Sequence, residues 1–319
     1  MRKIAFIFPG QGSQYVGMGA DFYQVFPESR RVFEEANDCL NMDLKRICFE
    51  GREEELIRTE NTQPAILTTS IAMLKALEMQ GIDCEYTAGL SLGEYTALVK
   101  SEGISFEDAL WLVKIRGKLM QEAVPEGVGG MAAILGLSRE KVMLVLDRVK
   151  EHGIVEVANY NSPEQIVISG EKKGVELACK EALNLGAKKT VPLLVSAPFH
   201  TSLLKPAAER LKEELDRIPL FDLKKNLVSN VDGKPVNSKE EIKEKLAEQV
   251  SSSVLWQDSI EFMIENGVNT FIEIGPGKAL TGFVKRIGKF MNKSVETYNV
   301  NSVETLKKTV DSLGKEMAN

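Results

Sequence analysis

Apolar positions along this chain follow two rhythms. Short apolar runs closed by Gly or Pro, such as residues 3–8 before Pro9-Gly10, read as buried strands. Longer stretches with apolar residues three and four apart read as helices that turn one face to a core. The pattern predicts helices over 28–39, 52–57, 65–79, 105–124 and 238–250, and from Pro198 to about 217. It predicts strands at 86–88, 227–230 and 269–274, the last running into Gly275-Pro276-Gly277. Asn61-Thr62-Gln63-Pro64 reads as the entry of the 65–79 helix, and Gly81 as its C-cap. Ser105 with Asp108, and Ser238 with Glu241, read as capping boxes.

Residues 128–195 keep an order of their own. A strand at 130–135 is followed by a helix at 138–152 that Gly153 closes. Strands at 155–158 and 165–169 flank a turn at Asn161-Ser162-Pro163. A helix at 171–185 and a strand at 188–195 complete a β-α-β-β-α-β order, the ferredoxin-like pattern. The expected fold is α/β. A larger subdomain, residues 1–127 and 196–319, carries a mainly parallel sheet flanked by helices, and residues 128–195 form an inserted ferredoxin-like subdomain.

With 319 residues and 43% apolar content, the chain can bury one large core or two modest ones. The net charge of -6 argues against general nucleic-acid binding, which needs a basic footprint. No window approaches the ~18 apolar residues of a membrane span, and the run at residues 4–8 is too short for a signal sequence. The expectation is a soluble, cytoplasmic protein. Cys39, Cys48, Cys84 and Cys179 form no C-x-x-C pair and fit no zinc spacing, so they read as small buried thiols.

The clearest chemical motif is Gly89-Leu90-Ser91-Leu92-Gly93, between a predicted strand and a predicted helix. That context makes it a nucleophile-elbow pattern, in which the glycines permit a sharp turn and the helix aims free N–H groups at a forming anion. Outside that context it is a Gly-rich turn with a capping serine. A serine needs a base to act as a nucleophile, and the chain has two histidines. His152 stands in the last turn of a charged helix, a structural position favoured by the helix dipole. His200 stands in a strand-to-helix loop, Ser196-Ala197-Pro198-Phe199-His200-Thr201, and is the better partner for Ser91. Arg116 lies on the same stripe as Phe106, Ala109, Leu110, Val113 and Met120. A guanidinium facing a core needs an anion: either an internal carboxylate or the carboxylate of a substrate. Gly10-x-Gly12 and Gly277-Lys278 lack the remaining positions of the dinucleotide and P-loop fingerprints.

Six segments in order resemble the malonyl-CoA:acyl-carrier-protein transacylase family of fatty acid synthesis, over essentially the whole chain. They are Phe8-Pro9-Gly10-Gln11-Gly12-Ser13-Gln14, Gly89-Leu90-Ser91-Leu92-Gly93-Glu94-Tyr95, and Arg116 with Met120-Gln121-Glu122-Ala123. Asn159-Tyr160-Asn161-Ser162-Pro163, Pro198-Phe199-His200 and Glu273-Ile274-Gly275-Pro276-Gly277-Lys278 follow. The resemblance implies that Ser91 is acylated, that His200 is its base, and that Arg116 holds the malonyl carboxylate. It implies an oxyanion hole from the backbone N–H groups of Gln11 and Leu92, and a backbone carbonyl of Gln249 that orients the imidazole. Met120 and Phe199 would contact the substrate. The substrate would be a coenzyme A thioester with no permanently bound cofactor, the partner an acyl carrier protein, and the enzyme a monomer. Two positions depart from the family pattern: Leu90 stands where the family usually has His, and Ser253 where it often has Pro.

The elbow alone also fits an esterase or thioesterase of the α/β-hydrolase type, with an Asp between Ser91 and His200 in chain order. A free-standing acyltransferase of a polyketide assembly line fits the same motifs as the fatty-acid enzyme. A non-catalytic docking protein has no use for the Ser91, His200 and Arg116 set.

Overall fold

A parallel strand covered on both faces must be apolar at successive positions, and β1 (Ile4–Phe8) meets that requirement with four fully buried residues in five. The computed structural model describes residues 2–125, 127–195 and 197–317; the expected boundary residue 196 lies outside the described residues. β1 is the centre of a five-stranded sheet with β2 (Tyr86–Gly89). Four further strands belong to the chain's second sheet: β3 (Gly129–Leu135), β4 (Val155–Ser162), β5 (Gln165–Glu171) and β6 (Lys189–Pro192). β7 (Asn226–Val228), β8 (Thr270–Ile274) and β9 (Glu296–Val300) complete the first, in the order β7-β2-β1-β8-β9, with every pairing parallel.

Alternation along β1 divides the core. Phe6 and Phe8 join the larger apolar cluster with the Thr59–Glu78 helix, while Ala5 and Ile7 face Trp256, Ile260 and Val284 on the other side. Because the strands run in parallel, the loops after β7, β2, β1 and β8 emerge at one edge. In open α/β sheets this carboxyl edge is where ligands bind. Gln11, Ser91 and Asn230 sit on those loops.

The second sheet is antiparallel in the order β4-β5-β3-β6, the ferredoxin-like arrangement expected for this segment. Its Arg139–Val149 and Lys172–Asn184 helices cover one face through Val142, Val145, Val175 and Ala178. The other face, with Met131, Ala133 and Val167, packs into the larger cluster. The two sheets are also tied by backbone. Val254 donates to Ala158 (2.8 Å) and accepts from Tyr160 (3.0 Å), both on β4. Arg139 forms a two-pronged ion pair with Asp258 (3.0 and 2.7 Å) while lying over the Tyr160 ring. Among the described residues no helix is long and apolar enough to cross a membrane.

Several expectations are corrected. The helix expected at 65–79 begins earlier and runs Thr59–Glu78, with Pro64 inside it. Its added turn is held from outside by the Phe106–Glu122 helix, on which Gly117 lets the two backbones meet. The turn expected at Asn161-Ser162-Pro163 is shorter, since β4 continues through Ser162. The helix expected from Pro198 starts at Lys205, because His200 adopts φ 60°, which a right-handed helix cannot contain. Cys48 and Cys84 are buried as expected, and burial pushes both thiols up to about 12. Cys39 is exposed and Cys179 half-buried, contrary to that expectation.

A methyl group on Gly117 would lie 2.7 Å from the carbonyl oxygen of Thr59. Gly117→Ala should therefore destabilise the protein by about 1–3 kcal/mol, although alanine is the better helix former. Urea unfolding with an unchanged slope measures this; a neutral or stabilised variant would contradict the close helix contact.

Candidate active site

The site begins with a turn that only a side-chain-free residue can start. A Cβ on Gly89 would sit 1.8 Å from the carbonyl carbon of Gly93, so β2 and the Gly93–Lys100 helix meet at van der Waals limits. Ser91 takes φ 54°, a conformation disfavoured for a residue with a Cβ. Asn230, at the end of β7, staples the strained turn. Its Oδ1 accepts from the Ser91 backbone N–H at 2.7 Å, and its Nδ2 donates to the Gly89 carbonyl at 2.8 Å.

His200 reaches Ser91 across 109 positions of sequence, with Nε2 2.7 Å from Oγ. Its Nδ1 lies 2.8 Å from the Gln249 backbone carbonyl. A carbonyl only accepts, so Nδ1 carries the proton and Nε2 offers its lone pair to the Ser91 hydroxyl. Burial, reinforced by the Arg116 charge, pulls the imidazole down to about 4. The ring is therefore neutral near pH 7 and able to take a proton. The loop is fixed from below: the Ser202 N–H and hydroxyl both donate to the Glu156 carboxylate at 2.7 Å. His152 is exposed, at the end of the 3-10 turn Lys150–His152 on the small subdomain.

Arg116 is 1% exposed. Its Nη1 donates to Gln63 Oε1 (2.8 Å), and its Nη2 to Ser91 Oγ (3.0 Å) and Gln249 Oε1 (3.0 Å). Its Nε has no partner among the described residues, and the buried carboxylate whose charge acts on it, Glu94, is reached only through the Gln249 amide. The guanidinium also faces the Tyr95 ring at 5.5 Å. A buried cation with no carboxylate in direct contact is costly. A direct internal ion pair thus does not account for Arg116, and an incoming anion would.

The loop after β1 lies directly on the elbow: a Cβ on Gly10 would be 2.3 Å from the Leu90 carbonyl oxygen. The backbone N–H groups of Gln11 and Leu92 donate to no acceptor among the described residues. Gln11 also borders a cleft of about 1160 Å³ between the helices of the larger subdomain, with Thr59 and Gln121, and the smaller subdomain, with Met131 and Val195; Ser91, Arg116 and His200 do not line it. Met120 and Phe199 are buried and do not border that cleft; Met120 shares the face of Arg116, its sulfur 3.8 Å from Gln63 Nε2. Leu90 packs against the second apolar cluster. Ser253 donates to the Val157 carbonyl at 2.5 Å, so this loop is anchored to β4 without a proline.

Three polar residues of the site were not singled out from sequence: Gln63, Glu94 and Asn230. Glu94 and Asn230 are buried, and both bond to Gln249. The signal existed for Glu94, a carboxylate in the first turn of a helix whose neighbours Tyr95, Thr96, Ala97 and Leu98 are all buried.

Comparison with known proteins agrees with this geometry. The family model described as acyl transferase domain matches residues 5–313. The malonyl CoA-acyl carrier protein transacylase of Bacillus subtilis is 50% identical over 320 residues, covering 100% of both chains. That of Escherichia coli is 45% identical over 90% of this chain and 93% of its own. The crystal structure of the Clostridium perfringens transacylase superposes with a TM-score of 0.95 at 48% identity, over 99% of this chain and 98% of that one. A malonyl-transacylase solved in complex with a type II polyketide acyl-carrier protein superposes at 0.94 with 42% identity, over 97% and 99%. A family match over residues 5–313, full-length identity of 50% and the same fold at a TM-score of 0.95 together show that the chain belongs to the acyl transferase family, among its malonyl CoA-acyl carrier protein transacylases.

Proposed function

We propose that this chain moves a malonyl group from malonyl-CoA to the phosphopantetheine thiol of an acyl carrier protein, through an ester on Ser91, to supply fatty acid synthesis. The observation that carries this reading is the convergence on Ser91 Oγ of a neutral imidazole at 2.7 Å and a buried guanidinium at 3.0 Å. In the same reading residues 128–195 are an inserted unit that walls the cleft, and residues 1–127 with 196–319 hold the catalytic groups. The enzyme works in the cytoplasm with no permanently bound cofactor; the coenzyme A thioester is substrate.

Ser91 Oγ attacks the thioester carbonyl and His200 Nε2 takes its proton. The tetrahedral anion rests on the Gln11 and Leu92 N–H groups, each such donor typically worth about 10²–10³ in rate. The developing imidazolium is held through Nδ1–H by the Gln249 carbonyl. Collapse breaks the C–S bond, and His200 returns the proton to the coenzyme A sulfur. The carrier thiol then gives its proton to His200 and attacks the ester carbonyl. The second intermediate expels Ser91, which recovers the proton. Arg116 holds the malonyl carboxylate, exchanging the bond to the Ser91 hydroxyl for one to an anion while Gln63 and Gln249 keep the guanidinium in place. An α/β-hydrolase reading is less well supported, because the atom facing His200 Nδ1 is a backbone carbonyl and not a carboxylate.

Intact-mass measurement after mixing with malonyl-CoA should show one malonyl adduct that holo-acyl carrier protein discharges. Ser91→Ala should show none; an adduct that persists in that variant, or one lost to water before the carrier is added, would overturn the proposal. Arg116→Ala should lower kcat/KM for malonyl transfer about a hundredfold and for acetyl transfer far less. Equal losses would remove the carboxylate role. Nitrogen NMR of the resting enzyme should find His200 as the Nδ1–H tautomer, gaining its second proton only as pH falls to about 4, with acylation lost over the same range. Titration of His200 near its ordinary value would contradict the burial argument.

A further inference from the structure

Glu94 is 1% exposed, and no step above uses it. Its Oε2 accepts from Gln249 Nε2 at 2.6 Å and from the Asn230 backbone N–H at 3.1 Å. Gln249 in turn serves two groups at once: its backbone carbonyl meets His200 Nδ1, and its side-chain Oε1 accepts from Arg116 Nη2. A glutamine amide can rotate to exchange its oxygen and nitrogen ends. Here Arg116 can only donate, so it requires the oxygen end. The nitrogen end is then directed at three acceptors: Glu94 Oε2, the Ser91 carbonyl (3.1 Å) and Asn230 Oδ1 (3.2 Å). The Glu94 contact is the shortest of the three.

We propose that Glu94 is a positioning residue for malonyl transfer, its carboxylate oxygen holding the Gln249 amide in the one orientation that fixes Arg116 for the substrate carboxylate. Without that acceptor the amide loses its shortest contact and keeps only the longer ones to the Ser91 carbonyl and Asn230 Oδ1. The amide then holds its oxygen less firmly against Arg116, and the guanidinium loses definition where no carboxylate touches it. The Gln249 main chain would also loosen, which affects His200 for every acyl group. Loss of Glu94 therefore harms all acyl transfer somewhat, and transfer of a carboxylate-bearing acyl group most. Burial pushes Glu94 up to about 7, but the acceptor role holds in either protonation state, since a neutral carboxyl retains its carbonyl oxygen.

The proposal rests on Arg116 binding the malonyl carboxylate, so the test measures the ratio of malonyl to acetyl kcat/KM and carries Arg116→Ala as its control. Glu94→Met matches the volume and has no strong acceptor; Glu94→Gln matches the volume and keeps one. Glu94→Met should lower the ratio about tenfold, within the usual range of coupled neighbours. Glu94→Gln should bring it back to within about threefold of the unmodified enzyme. In an Arg116→Ala background, Glu94→Met should not change the ratio further. If Glu94→Met does not fold, the amide is removed directly in Gln249→Met, where the same fall in ratio is expected and its absence would overturn the proposal. A parallel fall of malonyl and acetyl transfer in Glu94→Met, with Arg116→Ala still lowering the ratio, would also overturn it. An Arg116→Ala enzyme with an unchanged ratio would instead remove the carboxylate reading beneath it.

Discussion

The Ser91 hydroxyl is shared between a base and a cation: it lies 2.7 Å from His200 Nε2 and accepts from Arg116 Nη2 at 3.0 Å. The two partners serve different ends: the imidazole is placed to take the proton, and the guanidinium puts a positive charge beside the carbon chain that the oxygen will carry. Holding three groups at hydrogen-bond distance requires unfavourable backbone at two of them. Ser91 and His200 both lie at positive φ, 54° and 60°. Strain of that kind persists only where surrounding structure fixes it. Asn230 fixes Ser91 by two hydrogen bonds, and Glu156 fixes the loop of His200 by two more.

The two sheets contribute unequally but are not separable. The parallel sheet gathers the loops of Gln11, Ser91 and Asn230 at one edge. The antiparallel sheet supplies Glu156 and the β4 backbone to which Val254 is bonded. Gln249 stands five residues before Val254 on that anchored segment, and it touches Ser91, Arg116 and His200. A shift of the small subdomain would therefore pass directly to the imidazole and the guanidinium. Of the residues around the elbow, only Gln11 borders the cleft between the two subdomains, and Ser91 itself stays partly exposed.

Much of this was legible in the sequence because it follows from local rules. The β-α-β-β-α-β segment, the capping of the Phe106–Glu122 helix by Ser105, and the burial of Arg116 beside Leu110 and Val113 all come from periodicity and end signals. The choice of His200 over His152 came from loop against helix end. What was not legible depends on tertiary contact. Pro64 marks a helix start by local rules, yet packing against Gly117 carries that helix one turn further back. His200 interrupts the helix expected after Pro198 because its side chain must reach Ser91. Gln63 and Asn230 read as ordinary polar residues, since their meaning lies in partners more than 50 residues away for Gln63 and 130 for Asn230. The Gln249 side chain was missed for the same reason, although the resemblance pointed to its main chain.

A crystal structure of the enzyme trapped after malonyl-CoA and before any carrier protein tests the convergence on Ser91 most directly. It should show an ester bond to Ser91 Oγ, with the malonyl carboxylate on the Arg116 guanidinium and His200 Nδ1 still on the Gln249 carbonyl. A malonyl group on any other atom, or a carboxylate turned to solvent away from Arg116, would contradict it.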